Sequence, residues 1–242
     1  MLEAVGWGAL AASSLVLGAL LAFGRPWPEH RLGLVLAFGA GALISAVSFE
    51  LAGEGIEVGS LRSTAVGLGA GALAYYALDG LIEARANRGP GRRRRGGGTS
   101  TGTALALGAF LDGIPEQLVL GIGLADGAGV GIGLLVAIFV SNLPEAIGSA
   151  SEMERAGTAR PRVLGLWLAV AAICVLGTAS GYAVADSASG ELRAGINGFA
   201  AGALLVMLID SMIPAAARDA GRVAGMVTTL GFAVATALSS IA

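Results

Sequence analysis

Along this chain the apolar positions neither alternate with polar ones nor fall on one stripe. They run in continuous blocks separated by short stretches rich in Gly, Pro, Arg and acidic residues. Eight blocks can be marked, at about residues 4–23, 32–51, 64–82, 103–124, 130–150, 163–185, 194–214 and 223–241. Each is long enough to cross the roughly 30 Å of bilayer hydrocarbon as a helix. Lipid offers no partner to an unpaired backbone group, so such blocks are read as helices. The pattern therefore predicts an all-α integral membrane protein, an eight-transmembrane-helix bundle forming a single membrane domain over residues 1–242. The first block has no basic segment before it and reads as a membrane span, not a cleaved leader.

Composition sharpens this picture. Of the 242 residues, 55% are hydrophobic and 13% charged, and the mean hydropathy is +0.78; soluble domains carry about a quarter charged residues. The 40 glycines follow no collagen period and suit helices whose backbones approach closely. The single cysteine, Cys174, rules out an intramolecular disulfide.

All fifteen basic residues are Arg, and their distribution sets the expected orientation. With the N-terminus outside, the inner connections hold thirteen of them and the outer ones only Arg62 and Arg193. Such asymmetry places the Arg-rich side in the cytoplasm. Both termini are then expected outside, in the cell (plasma) membrane. The 85–101 connection, with four consecutive Arg residues, reads as a cytoplasmic linker that anchors topology and touches anionic lipid rather than nucleic acid. A faint internal repeat links Phe38–Leu43 (FGAGAL) with Phe199–Leu204 (FAAGAL). Spans two and seven run in opposite directions, so the expected repeat is inverted, as is common in transporters.

Candidate chemistry lies in spans four and five. One carries Asp112-Gly-Ile-Pro-Glu116 and the other Ser141-Asn142-Leu-Pro-Glu145. In each, the first polar residue and the Glu are four apart and share a helix face. Pro115 and Pro144 remove ladder donors and leave the carbonyls of Leu111 and Val140 available. One acidic residue at a helix centre costs roughly 2.5–3.5 kcal/mol on insertion scales. Asp112, Glu116 and Glu145 must therefore face the interior. Three readings are open there: a bound cation, protonated carboxyls that join helices, or a proton relay. A shell of carboxylates with the Asn142 amide and the Ser141 hydroxyl suits a hard divalent cation.

These segments resemble those of the ZRT/IRT-like (ZIP) divalent metal transporters. Ile114-Pro115-Glu116 and Leu143-Pro144-Glu145 match the second halves of that family's motifs in spans four and five. Ala77-Leu78-Asp79 and Ile209-Asp210-Ser211-Met212-Ile213-Pro214 are similar to further family segments. The resemblance implies metal ligands Asp112, Glu116, Ser141, Asn142 and Glu145, a midplane site, and transported divalent metal as substrate with no cofactor. It also implies spans one, four, five and six moving against a scaffold of spans two, three, seven and eight, with metal uptake toward the cytoplasm and a homodimer formed through the scaffold. The chain is a divergent member in this reading. Asp112 and Ser141 stand where the family has His or Gln, Gly113 replaces an Asn, and span six has no acid before Asp186. Without imidazole, divalent metal is better supported than zinc specifically.

Other residues read more plainly. Cys174, Trp7, Trp27, Trp167 and Tyr75-Tyr76 are expected in packing or at the interface, and the sole histidine, His30, in a solvated loop. Glu50 and Glu54 could form a vestibule; Asp79, Glu83 and Asp210 could line an exit, or sit at solvated helix ends. Two alternatives to transport remain: a degenerate metal-binding relative and an intramembrane hydrolase. For the second there is no nucleophile elbow and no His set for zinc, so no enzyme is expected.

Overall fold

The computed structural model describes residues 1–24, 26–87, 113–125, 132–185 and 188–240. The described residues form α1 (Leu2–Gly24), α2 (Glu29–Val58), α3 (Leu61–Asn87) and α4 (Gly113–Ala125). They continue as α5 (Ile132–Arg155), α6 (Arg160–Ala185), α7 (Gly190–Ala220) and α8 (Val223–Ser239). Each falls on one expected span. The first part of span four, including Asp112, and the four-Arg run lie outside the described residues.

Five helices, α1, α2, α5, α6 and α7, are long and apolar enough to cross a membrane; α4 and α8 are apolar but shorter. At 27 residues α3 is long enough, but Gly, Tyr and charged residues dilute its apolar character. Local chemistry sets several boundaries. At the start of α7, the Ser189 hydroxyl accepts the Leu192 N–H at 3.3 Å, an N-cap that satisfies one orphan donor. At the end of α5, Gly157 takes φ 87°, and the N–H groups of Gly157 and Thr158 bond to the carbonyls of Glu154 and Met153 at 2.9 and 3.0 Å. This is the Schellman arrangement, and its left-handed position favours Gly. It turns the chain directly into α6.

The helices assemble in two groups. α1 packs on α5 and α6, and α4 joins them where Gly121 and Gly181 let the α4 and α6 backbones meet. α2 packs on α7 and α8, and α3 on α7. The groups meet where α5 lies against α2 and α8. One apolar cluster, with Leu15, Ala19, Ile147, Ala150, Trp167 and Cys174, sits inside the first group. Another, with Leu43, Val47, Leu120, Ile138, Leu204 and Met207, fills the seam between the groups.

Within the second group, α3 and α7 interlock through small residues. Gly67 and Gly71 lie against the backbone of Gly195 and Phe199, while Gly198 and Gly202 lie against Thr64 and Leu68. Lipid is as apolar as Leu, so helices in a bilayer gain from close backbone contact rather than from leaving water. Both α2 and α7 also contain a widened π segment, Ala46–Gly53 and Leu208–Met212. Such segments cost regular hydrogen bonding and concentrate at functional positions.

The interlocked glycines give a direct comparison. A Cβ at Gly71 would collide with the Phe199 carbonyl, whereas one at Gly69 meets nothing within 4 Å among the described residues. Gly71→Ala is expected to lower stability by about 1–3 kcal/mol, the usual cost of overpacking. Gly69→Ala should be neutral or slightly stabilising. Thermal unfolding of both variants in detergent checks the contrast.

Candidate functional site

The two proline-containing segments meet between α4 and α5. Glu116 lies in the first described turn of α4 and is only 1% exposed. Asn142 on α5, 2% exposed, donates from Nδ2 to Glu116 Oε2 at 3.4 Å. Ser141 is equally buried, and its hydroxyl donates to the Ile138 carbonyl at 3.1 Å. That spends its proton within the helix and leaves oxygen lone pairs to face a ligand. Glu145 follows one turn along α5 and is half-buried. Pro144 lies inside the continuous α5 helix, so it removes a donor without ending the helix.

The structure thus brings Glu116 and Asn142 together and sets Ser141, Asn142 and Glu145 on adjoining positions of one helix. Asp112 lies outside the described residues, so the expected three-carboxylate set is not all in view. Among the described residues, no three His, Cys, Asp or Glu side chains are close enough to hold a metal ion. Gly113 does allow a close approach, but to α6: a Cβ there would sit 2.8 Å from Cys174 Sγ. Cys174 is fully buried in the cluster with Trp167 and Leu15, which places this thiol beside the carboxylate-bearing turn of α4.

Several polar residues have partners that spacing did not reveal. Gln117, next to Glu116, is fully buried, and its Oε1 accepts the Thr178 hydroxyl of α6. Glu50, in the π segment of α2, accepts the Ser239 hydroxyl of α8 and the Leu134 backbone N–H of α5. One carboxylate therefore ties three helices across the seam. A Gln or Glu deep in an otherwise apolar span was the available signal; the partners lie far away in sequence and were not legible. His30 is in the first turn of α2 rather than in a loop, with Nδ1 3.3 Å from the Asp219 carbonyl. Asp210 is exposed on α7 and does not turn into the bundle.

Apolar spanning helices around a buried carboxylate and amide define a helical membrane protein with a polar centre. A family model described as ZIP Zinc transporter matches residues 92–239, more than half of the chain, and the chain belongs to that family. It is also 29% identical over 213 residues to "Putative zinc transporter At3g08650" of Arabidopsis thaliana. That similarity covers 86% of this chain and 34% of the relative, so the chain spans about a third of the relative's length.

The Gln117–Thr178 pair gives a test of how the site's helices are held. Thr178→Val strands a buried amide oxygen and is expected to cost about 1–3 kcal/mol. Adding Gln117→Leu should recover part of that loss, because both polar partners are then gone. Chemical unfolding of the two single variants and the double variant measures the coupling.

Proposed function

We propose that this protein is a secondary transporter of divalent metal ions, zinc or a related ion such as manganese, iron or cadmium. The observation that carries this reading is the buried Glu116–Asn142 contact between α4 and α5, beside two prolines and Glu145. A carboxylate in a bilayer needs a compensating charge or a proton, and these oxygen donors match a divalent cation. Membership of the ZIP family supports the same substrate class.

In this mechanism Asp112, Glu116 and Glu145 are the anionic ligands and Ser141 and Asn142 the neutral ones. An ion enters from outside and exchanges water for carboxylate oxygens between α4 and α5. It leaves inward as α1, α4, α5 and α6 shift against α2, α3, α7 and α8. The protein then has eight spans, both termini outside and an Arg-rich cytoplasmic connection in the plasma membrane, and it forms a homodimer through the second group. An inverted repeat accounts for the two π segments, which begin at Ala46 and Leu208, eight and nine residues after the matched Phe38 and Phe199.

Uptake into proteoliposomes tests the reading, with zinc, manganese, iron(II) and cadmium compared. Wild-type protein is expected to accumulate at least one ion. Glu116→Ala and Glu145→Ala should each reduce uptake to the protein-free background while remaining in the membrane. Undiminished uptake in both variants would overturn the site. No uptake of any ion by folded wild-type protein would favour a metal-binding relative that does not transport.

A further inference from the structure

The second helix group carries a groove whose two long walls repeat one spacing. Ser63, Gly67 and Ala70 of α3 and Leu192, Gly195 and Phe199 of α7 face it. Intervals of three and four keep each set on a single helix face. Leu118 of α4 lines a third side, and the cavity is about 740 Å³, in the usual range for small-molecule sites. From Arg62 to Ala70 it runs roughly 12 Å at about 1.5 Å per residue, most of one leaflet's half of the 30 Å or so of hydrocarbon. Small residues form its floor: a Cβ at Gly67 would collide with the Gly195 carbonyl. A Cβ at Gly195 would meet nothing within 4 Å among the described residues, so that position opens into the groove. On the rim Val66, Leu192 and Phe199 are exposed, as suits a surface that meets acyl chains.

One end of this apolar groove is charged. Arg62 and Glu191 both line it, each in the first turn of its helix. Among the described residues neither forms an ion pair, with the other or elsewhere. Glu191 is held by hydroxyls instead: its Oε2 accepts Ser60 at 2.7 Å and also Ser63. Those bonds fix the carboxylate and leave Oε1 open. Arg193, the neighbouring cation, is committed to the Ala185 carbonyl, to which it donates at 2.5 and 3.2 Å. Arg62 is exposed, and its planar fork of N–H donors suits a phosphate. A guanidinium and a carboxylate held apart at one mouth are the complement of a zwitterion.

We propose that this groove binds one phospholipid with an ethanolamine headgroup. The phosphate pairs with Arg62, and the primary ammonium donates to Glu191 Oε1. One acyl chain lies over Gly67 and Gly195, flanked by Val66, Leu118 and Phe199. Both headgroup charges are matched, and the chain has an apolar bed that follows it into one leaflet. The methyl groups of a choline headgroup remove the ammonium's hydrogen bonds, and a glycerol headgroup has no cation for Glu191. The chain touches α3 and α7 of the second group and Leu118 of the first, so the lipid bridges the two. None of this depends on the transport reading.

Native mass spectrometry of the full chain in detergent tests the site, by titration with phosphatidylethanolamine, phosphatidylcholine, phosphatidylglycerol or phosphoethanolamine alone. One phosphatidylethanolamine per chain should bind at least ~10-fold more tightly than either other lipid, the scale of one charge-assisted hydrogen bond. Phosphoethanolamine, which lacks acyl chains, should not bind at the same concentrations. Arg62→Gln should weaken binding by ~10-fold, and Glu191→Gln should remove the preference over phosphatidylcholine. Gly195→Leu should fill the groove and abolish the site, whereas Gly195→Ala adds one methyl in open space and should keep it. Arg62→Gln alters an exposed side chain and serves if Gly195→Leu does not fold. Equal binding of the three lipids would make the groove an unselective lipid contact and overturn the proposal. So would wild-type affinity in Gly195→Leu or in Arg62→Gln, or phosphoethanolamine binding as tightly as the lipid. A lipid-free wild-type dimer that Gly195→Leu dissociates would assign the groove to a second copy of the chain, which also overturns it.

Discussion

A carboxylate that is 1% exposed within a bundle of apolar helices sets the terms for this protein. Left ionised and uncompensated in hydrocarbon, Glu116 would cost more than a single helix–helix contact returns. Its neighbourhood is arranged accordingly. The Asn142 amide reaches it from α5, the Gln117 Oε1 one position away accepts the Thr178 hydroxyl while Gln117 Nε2 has no partner among the described residues, and Glu145 follows Asn142 by one turn of α5. Such a site is stable only when something positive, a proton or a metal ion, completes it. The need to compensate that charge is met by a proton or, in the transport reading proposed above, by a metal ion.

The rest of the bundle is packed in two ways. Where α3 meets α7 and where α4 meets α6, glycines bring backbones together with no side chains between them. Those contacts hold each group as a unit. The seam between the groups is mixed: branched and flexible side chains such as Leu43, Ile138 and Met207 fill much of it, while Gly39 of α2 lies against the Ser141 backbone of α5. Bulky side chains can repack as one group moves past the other, whereas interlocked backbones cannot. In the proposed transport cycle the α5–α2 seam is the place where the two groups shear, each staying whole.

Much of this was legible before any coordinates. Long apolar blocks located the helices, and the two Pro-Glu segments picked out the buried Glu116–Asn142 contact, because an acid inside an apolar span needs a reason. The proline in α5 lies within an unbroken helix, as its surroundings demand. What the sequence hid was partnership. Nothing in the spacing links Glu50 to Ser239 and Leu134, or Gln117 to Thr178, since these contacts depend on how distant helices cross. The close approach of Gly113 to Cys174 on α6 is likewise fixed only by the packed bundle. His30 was assigned to a loop because Pro26 and Pro28 precede it; Pro28 instead serves as the cap from which α2 starts.

The lengths of α2 and α7 have a mechanical consequence. At 30 and 31 residues and about 1.5 Å per residue, each is roughly 45 Å long, against about 30 Å of hydrocarbon. Tilting alone would need nearly 50°, beyond the usual 0–40° range, so their ends project into the headgroup layers. There Glu29, His30, Arg218 and Asp219 meet hydrated lipid rather than acyl chains. The pair acts as a ruler set against the bilayer. In a thicker membrane more of each helix is drawn into hydrocarbon, the ionic ends are pulled toward it, and the energy of the whole scaffold becomes a function of lipid chain length.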